Sequence, residues 1–452
     1  MPDFLAAHAL LPEGWAREVL ISCGEDGLIT AVTPGARAPG ARRLAGHVLP
    51  GLVDLHSHAF QRAMAGGAER RSPAGRDSFW TWRETMYRFA LGMTPEDAEA
   101  VAAQLYAELL SRGFTQICEF HYLHHDRDGA PYANRAEMAL RHMEAARRAG
   151  VGVTMLPSLY RHGGIFGLPP LEGQRRFLND LDGFMAILDA VRAACAAQPL
   201  AAWGVAPHSL RAVTPAMLEA LAALDAPIHI HAAEQRREVE ECRAATGLRP
   251  VEWLLRHAPL DGRWCLIHAT HMTEEEARGL AASGAVAGLC PSTEASLGDG
   301  IFPLPVFRAA GGRLGFGTDS HVGICPAAEI RQLETSQRLA LELRSVATDE
   351  ANPHPARALL EAALRGGAQA AGVAMGALAP GLRCDLVELD ETHPTLIGRE
   401  GDGLLDAWAF GPQDRMVRSV AVAGRMVVEA GRHVREREIA EGFARAMRRL
   451  GA

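Results

Sequence analysis

The chain has 452 residues, enough for one domain of about 250–300 residues and a smaller one. Its hydrophobic (48%) and charged (22%) fractions are those of a soluble globular protein, and no apolar run is long enough to span a bilayer. The formal net charge of −8 provides no basic surface for nucleic acid or anionic lipid, so we expect no nucleic acid and no membrane as partner.

Residues 1–48 predict short strands and turns. The runs REVLISC and LITAV flank the turn GEDG, which is typical of a strand–turn–strand pair. The chain has the same character from residue 376 to 452, in CDLVELD and VRSVAVAGRMVVEAGRHV. Since neither end could bury its own faces, we predict that residues 1–48 and 376–452 pair into one small β-sandwich domain.

Residues 49–375 alternate short apolar runs with longer helical patterns such as PEDAEAVAAQLYAELLSRG and TEEEARGLAASG. Eight strands are predicted, at HVLPGLVDL, TQICEF, VGVTMLPSLY, AAWGVAP, PIHIHAA, RWCLIHAT, VAGLCPS and RLGFGTDS. This alternation predicts a parallel α/β fold, most simply a (β/α)8 TIM-like barrel. No G-x-G-x-x-G motif opens a helix after the first strand, which disfavours a dinucleotide-binding fold.

The eight cysteines are scattered without a C-x-x-C pair, and several lie inside apolar runs such as WCLIH. We therefore expect buried free thiols in a reducing compartment. The first residues, MPDFLAAHALLPEGW, lack the basic segment and the cleavage site of a signal peptide. Both features lead us to expect a cytoplasmic protein.

Polar residues occupy the carboxyl ends of most predicted strands. They are His56 and His58 on the first, Glu119 to Tyr122 on the second, His208 on the fourth, His229, His231 and Glu234 on the fifth, His268 on the sixth and Asp319 on the eighth. A single histidine after an apolar run is usually a core or surface residue. Several strand ends with such residues indicate a functional site, because a (β/α)8 barrel builds its sites there.

The spacing of these residues favours a metal site. In a strand, residues two apart point to the same side, so His56 and His58 can share one cation. His231 is a better ligand candidate than His229 because Glu234 follows it closely, where a carboxylate can transfer protons at a bound water. Asp319 adds a hard oxygen ligand. Two or three histidines with one aspartate, and an open position for water, are typical of catalytic zinc or iron.

These motifs resemble the amidohydrolase superfamily, specifically its mononuclear deaminase branch, along nearly the whole chain. The similar segments are LPGLVDLHSH, HAAE, IHATH, LCPSTEASLGDGIFP and GTDS. Binuclear members usually bridge two metals with a carboxylated lysine, whereas all 46 basic residues here are arginine. The resemblance implies one divalent metal per subunit, Zn²⁺ or alternatively Fe²⁺, on His56, His58, His231 and Asp319. It also implies a homodimer.

Segments outside the metal motifs are similar to the formimidoylglutamate deiminases of bacterial histidine degradation, as in HSHAFQRAMAG, DSFWTWRETMYR and EFHYLHHD. Those enzymes hydrolyse a formimino group to a formyl group and release ammonia. The resemblance implies a small dicarboxylate substrate and Glu234, His268 and Asp319 as catalytic residues. The donors that suit such a substrate are Gln61, Arg83, Tyr122, His208 and Arg211.

Two other functions stay open at this stage. A deaminase of the same branch could act on a nucleobase, an adenosine derivative or a triazine, but such rings require stacking side chains rather than two arginines. A barrel scaffold without metal would lose its ligand positions, which are all filled here. The sequence assigns no role to the remaining histidines near these motifs, namely His121, His124, His125, His162, His229 and His321.

Overall fold

The computed structural model describes residues 3–69, 77–412 and 414–451. Within these ranges the strands are β1 (Phe4–Leu11), β2 (Gly14–Cys23), β3 (Ile29–Thr33), β4 (Arg42–Pro50), β5 (Leu52–Ser57), β6 (Phe114–His121), β7 (Gly152–Leu159), β8 (Ala201–Trp203), β9 (Ala206–Pro207), β10 (Ile228–Ala232), β11 (Trp264–His268), β12 (Val286–Leu289), β13 (Arg313–Phe316), β14 (Leu386–Leu389), β15 (Val417–Val422), β16 (Arg425–Glu429) and β17 (Arg432–His433).

The helices in the same ranges are α1 (Phe79–Gly92), α2 (Pro95–Leu110), α3 (Glu137–Ala149), α4 (Leu181–Ala196), α5 (Pro215–Ala222), α6 (Arg236–Thr246), α7 (Pro250–His257), α8 (Glu274–Ser283), α9 (Pro291–Leu297), α10 (Leu304–Ala309), α11 (Pro326–Leu341), α12 (Pro355–Ala371), α13 (Gly401–Phe410) and α14 (Glu436–Leu450). Two short 3-10 helices lie at Ala59–Met64 and Glu172–Gln174. In the described part of the chain, no helix combines the length and the apolarity that crossing a membrane requires.

The strands from both ends of the chain form one eight-stranded sheet, in the order β17-β16-β15-β14-β4-β1-β2-β3. The two halves meet where β4 pairs antiparallel with β14. Alternate residues of β2 are buried, namely Val19, Ile21 and Cys23, as expected for a strand with one face on a core. A composite terminal β domain was predicted from the sequence, and the sheet has that composition. The exact residues at which it passes into the barrel stay a prediction.

Cys23 of β2 and Cys384 are joined by a disulfide within this terminal domain. The prediction that all cysteines are free is therefore wrong for this pair. The two residues are 361 positions apart, and only the pairing of the chain ends brings them together. The other cysteines are free thiols, as predicted: Cys118, Cys195, Cys242, Cys265, Cys290 and Cys325.

The central strands form the predicted (β/α)8 barrel. One parallel sheet contains β5, β6, β7 and β8, with β9 paired to β7, and a second contains β10 to β13. The two sheets are joined at both edges by the bridges Ser57–Asp319 and Val205–Ile228. All residues of β6 and β7 are buried, because one face lines the barrel and the other lies under helices. The carboxyl ends of these strands therefore meet at one opening.

The last helix, α14, packs against the barrel helix α2, although it belongs to the segment that the sequence assigns to the terminal β domain. One face of α14 is polar, and the opposite face carries the buried residues Ile439 and Ala446. That apolar face requires a surface to pack against. Arg449 of α14 pairs with Asp97 at the first turn of α2. The helix therefore links the chain terminus to the barrel.

Candidate active site

His56 and His58 lie side by side at the carboxyl end of β5. They are 0% and 3% exposed, and their ring centroids are 4.6 Å apart. Nδ1 of His58 lies 2.8 Å from the carbonyl oxygen of Phe120. Because a carbonyl only accepts, Nδ1 carries the proton and Nε2 keeps a free lone pair.

His231 and Asp319 reach the same point from β10 and from the segment after β13. Nε2 of His231 is 3.1 Å from Nε2 of His56, and its Nδ1 is 2.9 Å from the carbonyl oxygen of His208. The carboxylate Oδ1 of Asp319 is 3.5 Å from Nε2 of His58 and 3.8 Å from Nε2 of His56. The four predicted ligands are therefore brought together at one point.

The donor atoms and charges of this cluster fit a divalent metal ion. The separation of 3.1 Å between two Nε2 atoms is close to the roughly 3.3 Å between neighbouring ligand atoms around a tetrahedral zinc ion. Burial lowers the pKa of His58 to about 3 and holds the pKa values of His56 and His231 well below the usual range. The imidazoles are therefore neutral, which is the form that binds a metal. This set of three nitrogens and one oxygen suits zinc and ferrous iron alike.

Asp319 is held in an unusual backbone conformation by buried neighbours. Its φ is +49°, which is uncommon for a residue other than glycine. The preceding Thr318 donates its backbone N–H (2.9 Å) and its hydroxyl (2.6 Å) to the carboxyl group of Asp54 on β5. Burial raises the pKa of Asp319 to about 7, against the opposing charge of His268. A residue held at such an unusual φ by its surroundings is typical of a functional position.

His268, at the end of β11, is surrounded by acidic side chains. Its Nε2 is 3.7 Å from Oε1 of Glu234 and 3.8 Å from Oδ2 of Asp319, and its Nδ1 is 3.3 Å from Oε1 of Glu294. Burial alone would lower the pKa of His268, but Glu234, Glu294 and Asp319 together raise it to about 10. The imidazole is therefore a cation at neutral pH.

Two acidic residues of this cluster were not predicted from the sequence. Glu294, on α9, also accepts a hydrogen bond from the backbone N–H of Cys290 at 2.8 Å. Asp299 is buried, and one of its oxygens accepts a hydrogen bond from the side chain of Gln235. Burial and the charge of Glu234 raise the pKa of Asp299 to about 10. The run STEASLGDGIFP contains both residues, but its spacing has no signature that separates them from loop acids.

A pocket opens above the ligand cluster, and His58, His231, Glu234, His268 and Asp319 lie at its base. Its lining includes the five residues predicted to bind substrate, Gln61, Arg83, Tyr122, His208 and Arg211. It also includes four side chains of α1 that the sequence analysis did not single out as substrate contacts, Phe79, Trp82, Met86 and Tyr87. The structure thus brings the predicted substrate residues and the predicted catalytic residues to one cavity. Their individual roles stay predictions.

The two predicted arginines are differently placed in this pocket. Arg211 is buried, its Nη2 is 3.9 Å from Oε2 of Glu234, and its Nε has no hydrogen-bond partner in the described part of the chain. Arg83 lies on α1 and contacts the rings of Trp80 and Tyr87. Both guanidinium groups can therefore still donate to an anionic ligand.

Most histidines whose roles the sequence left open have structural partners outside the ligand cluster. Nε2 of His229 is 2.9 Å from the carbonyl oxygen of Ala370 in α12, away from the ligand cluster. His124 and His125 likewise contact backbone carbonyl oxygens, and Nδ1 of His321 contacts the hydroxyl of Thr318. His121 is buried and contacts the ring of His142. His162 lies on a partly exposed loop.

The chain also matches known protein families. Residues 47–427 match the amidohydrolase family, and residues 4–46 match the N-terminal domain of formimidoylglutamate deiminase HutF. A formimidoylglutamate deiminase of Pseudomonas aeruginosa is 50% identical over 457 aligned positions, which cover 100% of both chains. An 8-oxoguanine deaminase of the same organism is 31% identical and covers 76% of this chain and 75% of its own.

Solved structures show the same relationship. The crystal structure of an amidohydrolase from Brucella melitensis superposes with a TM-score of 0.95 at 48% identity, and the match covers 100% of each chain. A zinc complex of atrazine chlorohydrolase from Arthrobacter aurescens, at 21% identity, 100% coverage of each chain and a TM-score of 0.83, shares the fold. On these grounds the chain belongs to the amidohydrolase family.

Proposed function

We propose that this protein hydrolyses N-formimino-L-glutamate to N-formyl-L-glutamate and ammonia. The observation that carries the proposal is the convergence of two arginines, Arg83 and Arg211, on the pocket that contains the candidate metal ligands. A substrate with two carboxylates requires such paired cationic donors. The relative from Pseudomonas aeruginosa, which is named for this activity and matches along the whole chain, supports the same conclusion.

The polar atoms of the pocket match the remaining part of this substrate. Nε2 of Gln61 donates to the hydroxyl of Tyr122 at 2.9 Å, and its buried Oε1 has no partner within the described ranges. A buried acceptor without a partner is unfavourable, and a formimino N–H group would satisfy it. We therefore assign Gln61 to the formimino end and Arg83, Arg211 and His208 to the carboxylates.

The charges around the ligand cluster suit the transfer of protons during hydrolysis. A divalent ion on the four ligands would supply a water of lowered pKa and polarise the formimino carbon. Asp319 accepts a proton of the attacking water, and Glu234 delivers a proton to the nitrogen that leaves as ammonia. His268 is kept cationic by its acidic neighbours, so it can donate to the oxygen that bonds to the formimino carbon.

We further propose one divalent ion per chain, zinc or ferrous iron, and a cytoplasmic homodimer. The absence of lysine supports a single ion, since no carboxylated lysine can bridge two. Metal analysis of the purified protein gives the number and identity of bound ions. Light scattering combined with gel filtration gives the oligomeric state, and fractionation of cells that produce the protein gives its location.

Release of ammonia from candidate substrates tests the reaction. The aromatic residues of α1 that line the pocket could also stack on a heterocycle, and the 8-oxoguanine deaminase relative makes this the main alternative. We expect ammonia from N-formimino-L-glutamate and none from guanine or 8-oxoguanine under the same conditions. Turnover of a purine without turnover of formiminoglutamate would replace the proposal with the alternative.

A further inference from the structure

Trp80, on the first turn of α1, contacts two guanidinium groups. Cζ of Arg83, three residues along the same helix, lies 4.5 Å from the centre of the Trp80 ring. Cζ of Arg237, on the first turn of α6, lies 4.2 Å from the same centre. Both distances are within the range of cation–π attraction. One indole therefore connects a helix that lines the pocket with the helix that follows Glu234.

The charge of Arg83 acts inside the pocket, although its guanidinium contacts only rings among the described residues. Its positive charge opposes the rise in pKa that burial gives Tyr87 on the same helix and Tyr160 on another segment, and it adds to the lowering of the pKa of His208. Its position is set by α1, since Arg83 contacts Trp80 and Tyr87 of the same helix. Whatever fixes Trp80 therefore fixes the cation that the proposed substrate requires.

Arg237 is placed to fix Trp80 from outside the pocket. It is not among the described residues that line the cavity, and its side chain is 59% exposed. Its Nε lies 2.7 Å from Oε1 of Glu241, one turn further along α6. This ion pair restricts the long side chain, so that the guanidinium is held against the indole.

We propose that Arg237 is a positioning residue for substrate recognition. Through Trp80 it holds α1 against α6 and so keeps Arg83 directed at a carboxylate of the substrate. The inference rests on the proposed function, because it assigns Arg83 to an anionic part of formiminoglutamate. It adds to that function a residue outside the cavity that determines affinity for dicarboxylates.

A double-mutant cycle tests this role. In Arg237→Met we expect KM for formiminoglutamate to rise about two- to tenfold, the range that loss of one partly exposed cation–π contact produces, with kcat unchanged. Arg83→Met raises KM on its own, and adding Arg237→Met to it should have no further effect, because Arg237 acts only through Arg83. The matched control is Arg236→Met, an exposed neighbour on α6, which should keep the KM and kcat of the unsubstituted protein.

Two results would overturn the proposal. One is an unchanged KM in Arg237→Met. The other is that Arg237→Met raises KM by the same factor whether Arg83 is present or replaced by methionine. The affinity for glutarate, measured by calorimetry on the unsubstituted protein, the two single variants and the double variant, repeats the cycle without turnover. If the unsubstituted protein released no ammonia from formiminoglutamate, the proposed reaction would fail. The binding of glutarate, a dicarboxylate without a formimino group, would then still measure the coupling of Arg83 and Arg237.

Discussion

At the scale of single residues, the site is dominated by acidic groups around one imidazole. Glu234, Glu294 and Asp319 all lie within 4 Å of a ring nitrogen of His268. A protonated His268 enclosed in this way is held in place as a hydrogen-bond donor. The three carboxylates around it differ in their other contacts. Glu234 is the one that also faces Arg211 and the pocket, which is why we assign proton delivery to it.

Replacement of Glu234 tests that assignment. Glu234→Gln keeps the shape of the side chain but removes the group that carries the proton, so we expect kcat to fall about 10²- to 10⁴-fold. Metal content should be unchanged, because Glu234 is not one of the four ligands. Ammonia release at saturating formiminoglutamate and elemental analysis measure the two effects. The control Glu240→Gln, exposed on α6, should keep full activity, and a near-normal kcat in Glu234→Gln would contradict the role.

The two histidines of β10 offer a matched pair for the metal site. His231 reaches the ligand cluster, whereas Nε2 of His229, two residues earlier on the same side of β10, contacts the carbonyl oxygen of Ala370 in α12. We expect His231→Asn to lose its bound ion on dialysis and His229→Asn to retain it, because only His231 has Nε2 in the cluster. Metal per chain, measured after dialysis, decides the matter. Equal retention by both variants would show that His231 is not a ligand.

At the scale of elements, the candidate metal ligands lie at the ends of strands, whereas helices supply part of the pocket wall. The backbones of β5 and of the segment after β13 are hydrogen-bonded through His56, His58 and Asp319, and β10 is paired with β11, so the ligands stand on the strands of the barrel itself. Part of the pocket wall comes instead from α1, a helix outside the strand scaffold. The chain terminus is attached by α14, which contacts the barrel through buried Ile439 and Ala446 and through the pair of Arg449 with Asp97.

Truncation of one such residue tests the attachment of α14. Ile439→Ala should lower the free energy of unfolding by about 2–5 kcal/mol, since a buried side chain of this size is lost. Glu441→Ala, on the exposed face of the same helix, should change it by no more than about 0.5 kcal/mol. Urea unfolding at neutral pH measures both values. Similar unfolding midpoints for the two variants would mean that α14 does not contribute to the folded core.

At the scale of the whole molecule, the protein buries many histidines as neutral rings. Burial lowers the pKa of His124 to about 3 and that of His142 to about 4, and both lie outside the ligand cluster. In the unfolded chain these groups bind protons below pH 6.5, whereas in the folded chain they stay neutral. Their contribution to stability is therefore complete above pH 6.5 and decreases as the pH falls towards the folded values.

This difference predicts destabilisation in mild acid. Near pH 5 each of these two histidines should reduce the free energy of unfolding by about 2 kcal/mol relative to neutral pH. Urea unfolding as a function of pH measures the slope, and His142→Gln should make that slope smaller. His257→Gln, at an exposed position, should leave the slope as it is. An unaltered slope in His142→Gln would show that the ring is already protonated in the folded protein.

Much of the architecture was accessible from the sequence because it depends on local patterns. All eight barrel strands lie where apolar runs were found, and His56 and His58 meet because residues two apart on a strand share a side. The disulfide between Cys23 and Cys384 and the contribution of Asp299 were missed. Both depend on pairs of residues that are distant along the chain, about which local patterns contain no information.

The sequence by itself determined the alternation of strands and helices, the composite terminal domain and the types of side chain available for a metal site. The tertiary structure decided which of these side chains share one environment. It separated His231 from His229, enclosed His268 among acids, and brought Arg83 of α1 to the same cavity as Arg211. The physical reason is that ligand binding, burial and charge depend on distances in space. Such distances exist only once the barrel has closed.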